Sequence, residues 1–542
     1  MFKNHKWLVT TTSIALVLGV VLTGCGSTAP TAGTTPSKEM KMSYAPGSEP
    51  KTLDPQMSNG IPEMIMEMNM FEGLMRLDKD SNPQNAIADS ITVSPDGLIY
   101  TIKLKDTKWN NGNPVTADDF KFAWMHALNP EAAAEYAYQL FYIKNGEAYN
   151  SKKANAEDVG IKVVDPKTME ITLESPTPYF KSLLAFPTYY PVNKNNVEAN
   201  PKWNLQPETF VSNGPFKMQS WSHNDKLVLV KNSNYWDANS VKLTELTFNL
   251  VSDGKAALTA YEAGQLDGID QTAVPISDLD RLRKAGSLKT SPYLGTYFYR
   301  FNVTKKPLDN TKVRQALALA INRQALIDNV FKAGQTPALG YVPGGVPDAE
   351  TGKTFREVGG ELFKEDLTKA KQLLAEAGYP DGKNFPELSI LYNTNGSHQL
   401  PAQAIQDMWA KNLGINVKLV GQEWKVYQRS QQDLQYDISR AGWIGDYIDP
   451  MTFMDMFVTQ GGNNQTGWSN ADFDKDIETA KKSGDQKVRM QAMHDAEKVL
   501  VNDMPIMPIY YYVNYYVLKD NIKGLIQLPL GFTDFKNVTV EK

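Results

Sequence analysis

Only one cysteine, Cys25, occurs in 542 residues, so no disulfide can form within one chain. No apolar run reaches the ~20 residues a membrane span needs; the longest, from Trp7 to Leu22, stops short of it. Neither sign of charge is in excess. Lys and Arg number 56 against 61 Asp and Glu, a net charge of −5 with no basic stripe, which argues against nucleic acid as a partner. The five histidines, at positions 5, 126, 223, 398 and 494, are too scattered for a local zinc site. HExxH, CxxC, GxSxG, P-loop and GxGxxG patterns are all absent. "DKDSNPQN" (78–85) opens like a calcium loop, but Pro83 stands where that loop needs its glycine, so a surface turn is expected. No nucleophile–base arrangement is visible among the many Asp, Glu and Ser. Neither catalysis, a metal nor a cofactor is expected.

What is there begins at the N-terminus. Lys3, His5 and Lys6 precede the apolar run, which ends in Leu22-Thr23-Gly24-Cys25. A basic start, a short apolar stretch and small residues make an export signal, expected over residues 1–24. Leu-Thr-Gly-Cys resembles the bacterial lipoprotein box, which implies lipidation at Cys25. Residues 25–39, rich in Gly, Ser, Thr and Pro, read as a flexible tether. A body on such a tether is held beside a membrane without inserting into it.

From Met40 onward the chain reads as globular, and its length favours two or three domains. Alternation and β-branching mark strands in "GLIYTIKLKD" (97–106) and "TMEITLE" (168–174). Thr116 and Asp119 stand in capping-box spacing before a helix carrying Phe120, Ala123, Trp124 and Ala127 at helical intervals. Residues 310–334 predict one long amphipathic helix or two, stopped at Gly334. Residues 366–379 predict another, with Leu367, Ala370, Leu373 and Leu374 on one face. A helix, a stop at Gly414 and a strand follow from residue 400, and a last strand from 504 to 518. Strands and helices alternate loosely, an α/β pattern. Aromatics are abundant, with 25 Tyr and 10 Trp. Core filling is the plainer account of them, yet these residues also line wet clefts.

One segment resists a plain reading. "SRAGWIGDYIDP" (439–450) sets Asp446 among Trp443, Ile444, Tyr447 and Ile448. A carboxylate in such company needs a partner; an internal pair with Arg440, a turn cap and an incoming cation are the alternatives.

That segment, together with "EPKTLDPQ" (49–56), "NMFEGLMRLD" (69–78), residues 96–124, "VSNGPFKM" (211–218), "NSNYWD" (232–237), "YNTNGSHQ" (392–399) and "NLGINVKLVGQEW" (412–424), resembles the solute-binding proteins of oligopeptide ABC importers. The order and spacing hold over nearly all of residues 40–540. The resemblance implies an α/β fold of the type II periplasmic-binding-protein kind, a three-domain, two-lobed hinged trap around a central cleft. Domain I would combine residues 40–71, 196–295 and 505–542, domain II residues 72–195, and domain III residues 296–504. It implies an oligopeptide ligand held as an added β-strand, permease and ATPase subunits as partners, and a monomer lipid-anchored at the outer face of the bacterial cell membrane.

Carried over residue by residue, the resemblance makes Asp446 the partner of the peptide ammonium group. Gly442 and Gly445 would let the peptide backbone approach. Trp443 and Ile444 match the strand that the peptide pairs with. Ile61 and Tyr136 match residues flanking its backbone, and Trp424 a side-chain pocket wall; plain core packing is the alternative for Ile61 and Trp424. Arg440 and His398, the latter in the same segment as Asn393, match positions that meet the carboxylate end, with an internal ion pair and a surface histidine as their alternatives. Arg300 departs from the family, which carries an acidic residue there, and either favours acidic side chains or bonds to a neighbour. Same-fold binders of dipeptides, nickel chelates, haem or sugars, and receptors for signalling peptides, are the competing readings.

Overall fold

Two long strands rich in aromatics, Leu288–Phe301 and Ile506–Leu518, run antiparallel to each other through the middle of the protein. Tyr, Phe and Val suit a pleated surface buried on both faces, and every residue from Leu294 to Phe301 is buried. The structure, a computed structural model, describes residues 40–394 and 398–541, without the side chain of Lys425. Cys25, the export signal and the tether lie outside the described residues.

The two strands belong to a mixed sheet of 11 strands. On one side of the pair come Ile438–Ile444, Leu388–Asn393 and Val417–Gln422. On the other come Gly268–Ile269, Lys41–Ala45, Glu245–Asn249, Lys226–Lys231 and Phe216–Ser222. A separate sheet of four strands spans residues 88–172 and includes Ile99–Leu104 and Thr168–Thr172, both expected from alternation.

The helix signals were local, and most of them hold. Ala117–Leu128 starts at Thr116 with a capping box, the Thr116 amide donating to Asp119 Oδ2 at 2.9 Å. The 310–334 pattern resolves into two pieces, Thr311–Leu319 and a second beginning at Arg323, which ends with Lys332 at φ 59° before Gly334. Gln399–Leu413 closes on Gly414 at φ 69°, a left-handed cap that glycine adopts without strain. One expectation fails. Leu367 opens its helix exposed, and the buried stripe begins a turn later at Ala370, Leu373 and Leu374. "DKDSNPQN" folds as a turn tied by Asp78, whose Oδ1 accepts the amides of Asp80 and Asn82 at 2.9 Å each.

Candidate functional site

The Ile438–Ile444 strand is paired unequally on its two sides. Against Leu288–Phe301 it pairs along its whole length, from Ile438 opposite Phe301 to Ile444 opposite Gly295. Against Leu388–Asn393 it pairs only through Ile438 and Ser439. Among the described residues no strand covers the second side of residues 441–444. Trp443 and Ile444 are partly buried there, and Trp443 Nε1 has no hydrogen-bond partner. An unpaired edge beside a core is a template for a further strand. Gly442 and Gly445 make room here for side chains: an added Cβ would meet Tyr512 OH at 2.6 Å and Leu294 Cδ2 at 2.8 Å respectively.

The strand ends in a turn held rigidly from below. The Gly445 amide donates to Leu294 O at 2.8 Å and the Asp446 amide to Thr452 Oγ1 at 3.1 Å. Asp449 caps the next helix at Met451 and takes both Nη atoms of Arg489, at 2.9 and 3.1 Å, in a buried bidentate pair.

Asp446 projects from this turn partly buried. Its Oδ2 accepts from Tyr138 OH at 2.9 Å, and no cation lies within ion-pair distance of it among the described residues. Desolvation, reinforced by the Asp455 carboxylate and opposed by the Tyr138 hydrogen bond, pushes its pKa up to about 7. The internal pair with Arg440 does not form. Six residues of extended chain, up to about 20 Å, separate the two. Tyr136 stacks on Tyr138 with centroids 5.4 Å apart and packs on Phe186 at 5.5 Å. Tyr447 is clasped from the same side: its hydroxyl meets Tyr142 OH at 2.9 Å and its ring stacks on Tyr179 at 4.4 Å.

Arg440 stands at the other end of the strand. Its guanidinium lies 4.8 Å over the Tyr297 ring and donates only to Asn393 Oδ1 at 3.4 Å and Tyr512 OH at 3.3 Å. Among the described residues Nε has no partner and no carboxylate is paired with the guanidinium. An internal ion pair is therefore not its role here. His398 joins this end through Tyr297, whose hydroxyl is 3.3 Å from Nδ1. Burial and the neighbouring Arg440 push the His398 pKa down to about 3, so at neutral pH it offers a hydrogen bond, not a charge. Trp424 is 40% exposed and stacked on Tyr427 at 5.6 Å, which removes plain core packing as its explanation. The Tyr427 hydroxyl in turn donates to the Arg440 carbonyl. Ile61 begins the Ile61–Met70 helix, partly buried; its Cδ1 would lie 3.3 Å from a Cβ added at Gly531.

Asp446 with Tyr136, and Arg440 with Asn393 and His398, are thus brought together at the two ends of one open edge. Tyr138, Tyr142, Tyr179, Tyr297 and Tyr512 were missed. For Tyr138, Tyr142 and Tyr512 the signal was the clustering of tyrosines in "EYAYQLFY" (135–142) and "YYYVNYYV" (510–517); Tyr179 and Tyr297 lie outside both. Among the described residues no group of three or more His, Cys, Asp or Glu is placed to hold a metal ion.

The profile of bacterial extracellular solute-binding proteins, family 5 (middle), matches residues 82–465. The chain belongs to this family. It is 38% identical to the oligopeptide-binding protein OppA of Bacillus subtilis, over 98% of this chain and 99% of that one. It is also 38% identical to the dipeptide-binding protein DppE of the same organism, over 90% of each. A solved structure, that of Listeria monocytogenes OppA bound to peptide, superposes with a TM-score of 0.78 at 33% identity, covering 93% of this chain and all of the other. With membership comes the two-lobed type II binding-protein fold into which the mixed sheets assemble. No described helix is long and apolar enough to cross a membrane.

Proposed function

We propose that this protein captures extracellular oligopeptides and delivers them to the permease and ATPase subunits of an ABC importer, without catalysis. The observation that carries the reading is the open edge of residues 441–444 with a cation-free carboxylate, Asp446, at one end and a carboxylate-free guanidinium, Arg440, at the other. Every free peptide brings a backbone, an ammonium group and a carboxylate, and this edge meets all three. Main-chain hydrogen bonds give affinity regardless of side chain, and water can fill pockets around unlike side chains. The six residue steps from Arg440 to Asp446 span up to about 20 Å, more than a dipeptide covers. Ile61 and Tyr136 would flank the peptide backbone, with Trp424 walling a side-chain pocket. The lobes would be built from the three domains drawn from the sequence, closing about their crossover segments.

Native mass spectrometry of protein purified without added ligand tests this. Co-purifying masses that fragment as short peptides are expected. Bound sugars, haem or nickel chelates in their place would assign the cleft to another member of the fold.

With lipid on Cys25 the body, a monomer on this reading, would sit at the outer face of the membrane. Each buried CH₂ contributes ~0.8 kcal/mol, so two or more acyl chains hold firmly while the tether contributes nothing. Cys25→Ser should shift the protein from the membrane pellet to the medium and leave peptide affinity as it was. A Cys25→Ser protein that still sediments with membranes would exclude the anchor.

A further inference from the structure

Among the described residues four arginines are buried, and three of them make several hydrogen bonds each, although Arg323 leaves Nη2 without a partner. Arg314 donates to the carbonyls of Leu308, Asp503 and Met504, Arg323 to those of Pro508, Ala318 and Ile321, and Arg489 to the Asp449 carboxylate. Arg300 differs. It is 6% exposed, yet of its five N–H donors only one is used, Nη1 to Gln465 Oε1 at 2.7 Å. Nε is buried without a partner. The nearest ring, Phe298, is 5.6 Å away, and no carboxylate is paired with it among the described residues. A buried guanidinium with one neutral partner is expensive to keep. The one other arginine so poorly partnered is Arg440.

Both lie on the same strand pair at the open edge. Arg440 opposes Tyr299, and Arg300 opposes Ser439. Directly opposed residues share a face and successive residues alternate, so the two guanidinium groups project from opposite faces. Beside Arg300, on its face, the strand carries Ser439, whose Oγ accepts from Gln431 Nε2 at 2.9 Å, then Ala441 and Trp443. The edge is closed at Ser439, which pairs with Leu391, and opens from Ala441 onward, so a peptide side chain would approach Arg300 over Ala441. Gln465 is partly buried on the irregular stretch 458–470, so its amide can yield or share its place.

Resting on the peptide reading above, we infer that Arg300 is the cation of a side-chain site and takes an acidic side chain of the bound peptide. A carboxylate accepts two parallel N–H donors from a guanidinium, a strong and directional pairing. Because side chains of an added strand alternate between faces, only peptide positions of one parity reach Arg300.

Alanine tetrapeptides carrying one glutamate, or its isostere glutamine, at each position in turn test this by calorimetric titration. Glutamate should bind the wild type about ten- to hundredfold tighter than glutamine, at positions of one parity alone. That ratio should collapse in Arg300→Gln and be partly kept in Arg300→Lys, with thermal melts showing both variants folded. The wild-type comparison stands even if a variant fails to fold. Equal binding of glutamate and glutamine peptides at every position overturns the inference while tetra-alanine binding upholds the peptide reading. A gain spread evenly over all positions, or retained in Arg300→Gln, overturns it as well. If no peptide of the set binds, tetra-alanine included, the peptide reading falls and takes this site with it.

Discussion

Asp446→Asn weakens binding of unmodified peptides by about two to three orders of magnitude. On the proposed reading closure withdraws the Asp446 carboxylate and the ligand ammonium from water together, and among the described residues Tyr138 alone donates a side-chain hydrogen bond to that carboxylate. Removing one partner of a buried pair leaves the other stranded, at a cost of ~3–5 kcal/mol, and each 1.4 kcal/mol is about tenfold in affinity. The pH dependence follows from the same group. With its pKa pushed up to about 7 in the free protein, Asp446 must release a proton to pair, so affinity falls as pH drops below about 7. The ligand ammonium, with a pKa of ~7.7–8, deprotonates on the other side. Affinity therefore peaks between the two, and Asp446→Asn erases the acid limb.

The same shift has a consequence for stability. A carboxyl whose pKa is raised on folding binds its proton more tightly in the folded state. The ligand-free protein thus loses stability as pH climbs from the unfolded value near 4 to about 7. Asp446→Asn removes that loss, and the ligand-free variant should melt higher than wild type at pH 8 and show no such advantage at pH 4. A wild-type melting curve whose pH response matches that of the variant would contradict this account of Asp446.

Arg489→Met destabilises the fold by about 3–5 kcal/mol, the cost of leaving a buried carboxylate unpaired. The pair it breaks is bidentate, and the two side chains are 1% and 6% exposed. Arg489 also donates to Gln486 Oε1 at 2.8 Å and lies 5.3 Å over Tyr179. Because Tyr179 stacks on Tyr447 and Asp449 caps the helix that follows the Asp446 turn, loss of the pair also loosens the support beneath Asp446. Denaturant titrations should show the midpoint falling in Arg489→Met. The double variant Arg489→Met with Asp449→Asn should lose much less than the sum of the single losses, since no charge is stranded. Additive losses would mean that the two side chains do not act as a pair.

The local elements were legible because their causes are local. The capping box at Thr116, the glycine stop at 414 and the alternation of 97–106 each lie within one short window of sequence. Leu367 was misplaced because periodicity identifies a face but not where the core beneath it begins. At the site, Asp446 stood out as a carboxylate among apolar side chains, whereas its hydrogen-bond donor, Tyr138, is 308 residues away. No window joins those two. Arg440 was legible as a candidate for an internal ion pair or for a ligand carboxylate. What leaves Arg440 beside an open edge is the early divergence of Leu388–Asn393 from the Ile438–Ile444 strand, a property of the sheet and not of either segment. Gly442 and Gly445 were read as clearance for backbone, but the groups now against them are the side chains of Tyr512 and Leu294.

The central claim, that Asp446 receives the ammonium of a peptide added to the open edge, is tested most directly by calorimetric titration of four combinations. Wild type and Asp446→Asn are each titrated with one tripeptide in its free and its N-acetylated form. Acetylation should weaken wild-type binding by about the same two to three orders of magnitude as the substitution, because it removes the same pair from the other side. The acetylated peptide on Asp446→Asn should lose much less than the sum of the two, since no unpaired charge is left. Free and acetylated peptides binding the wild type equally well would show that Asp446 is not the ammonium site.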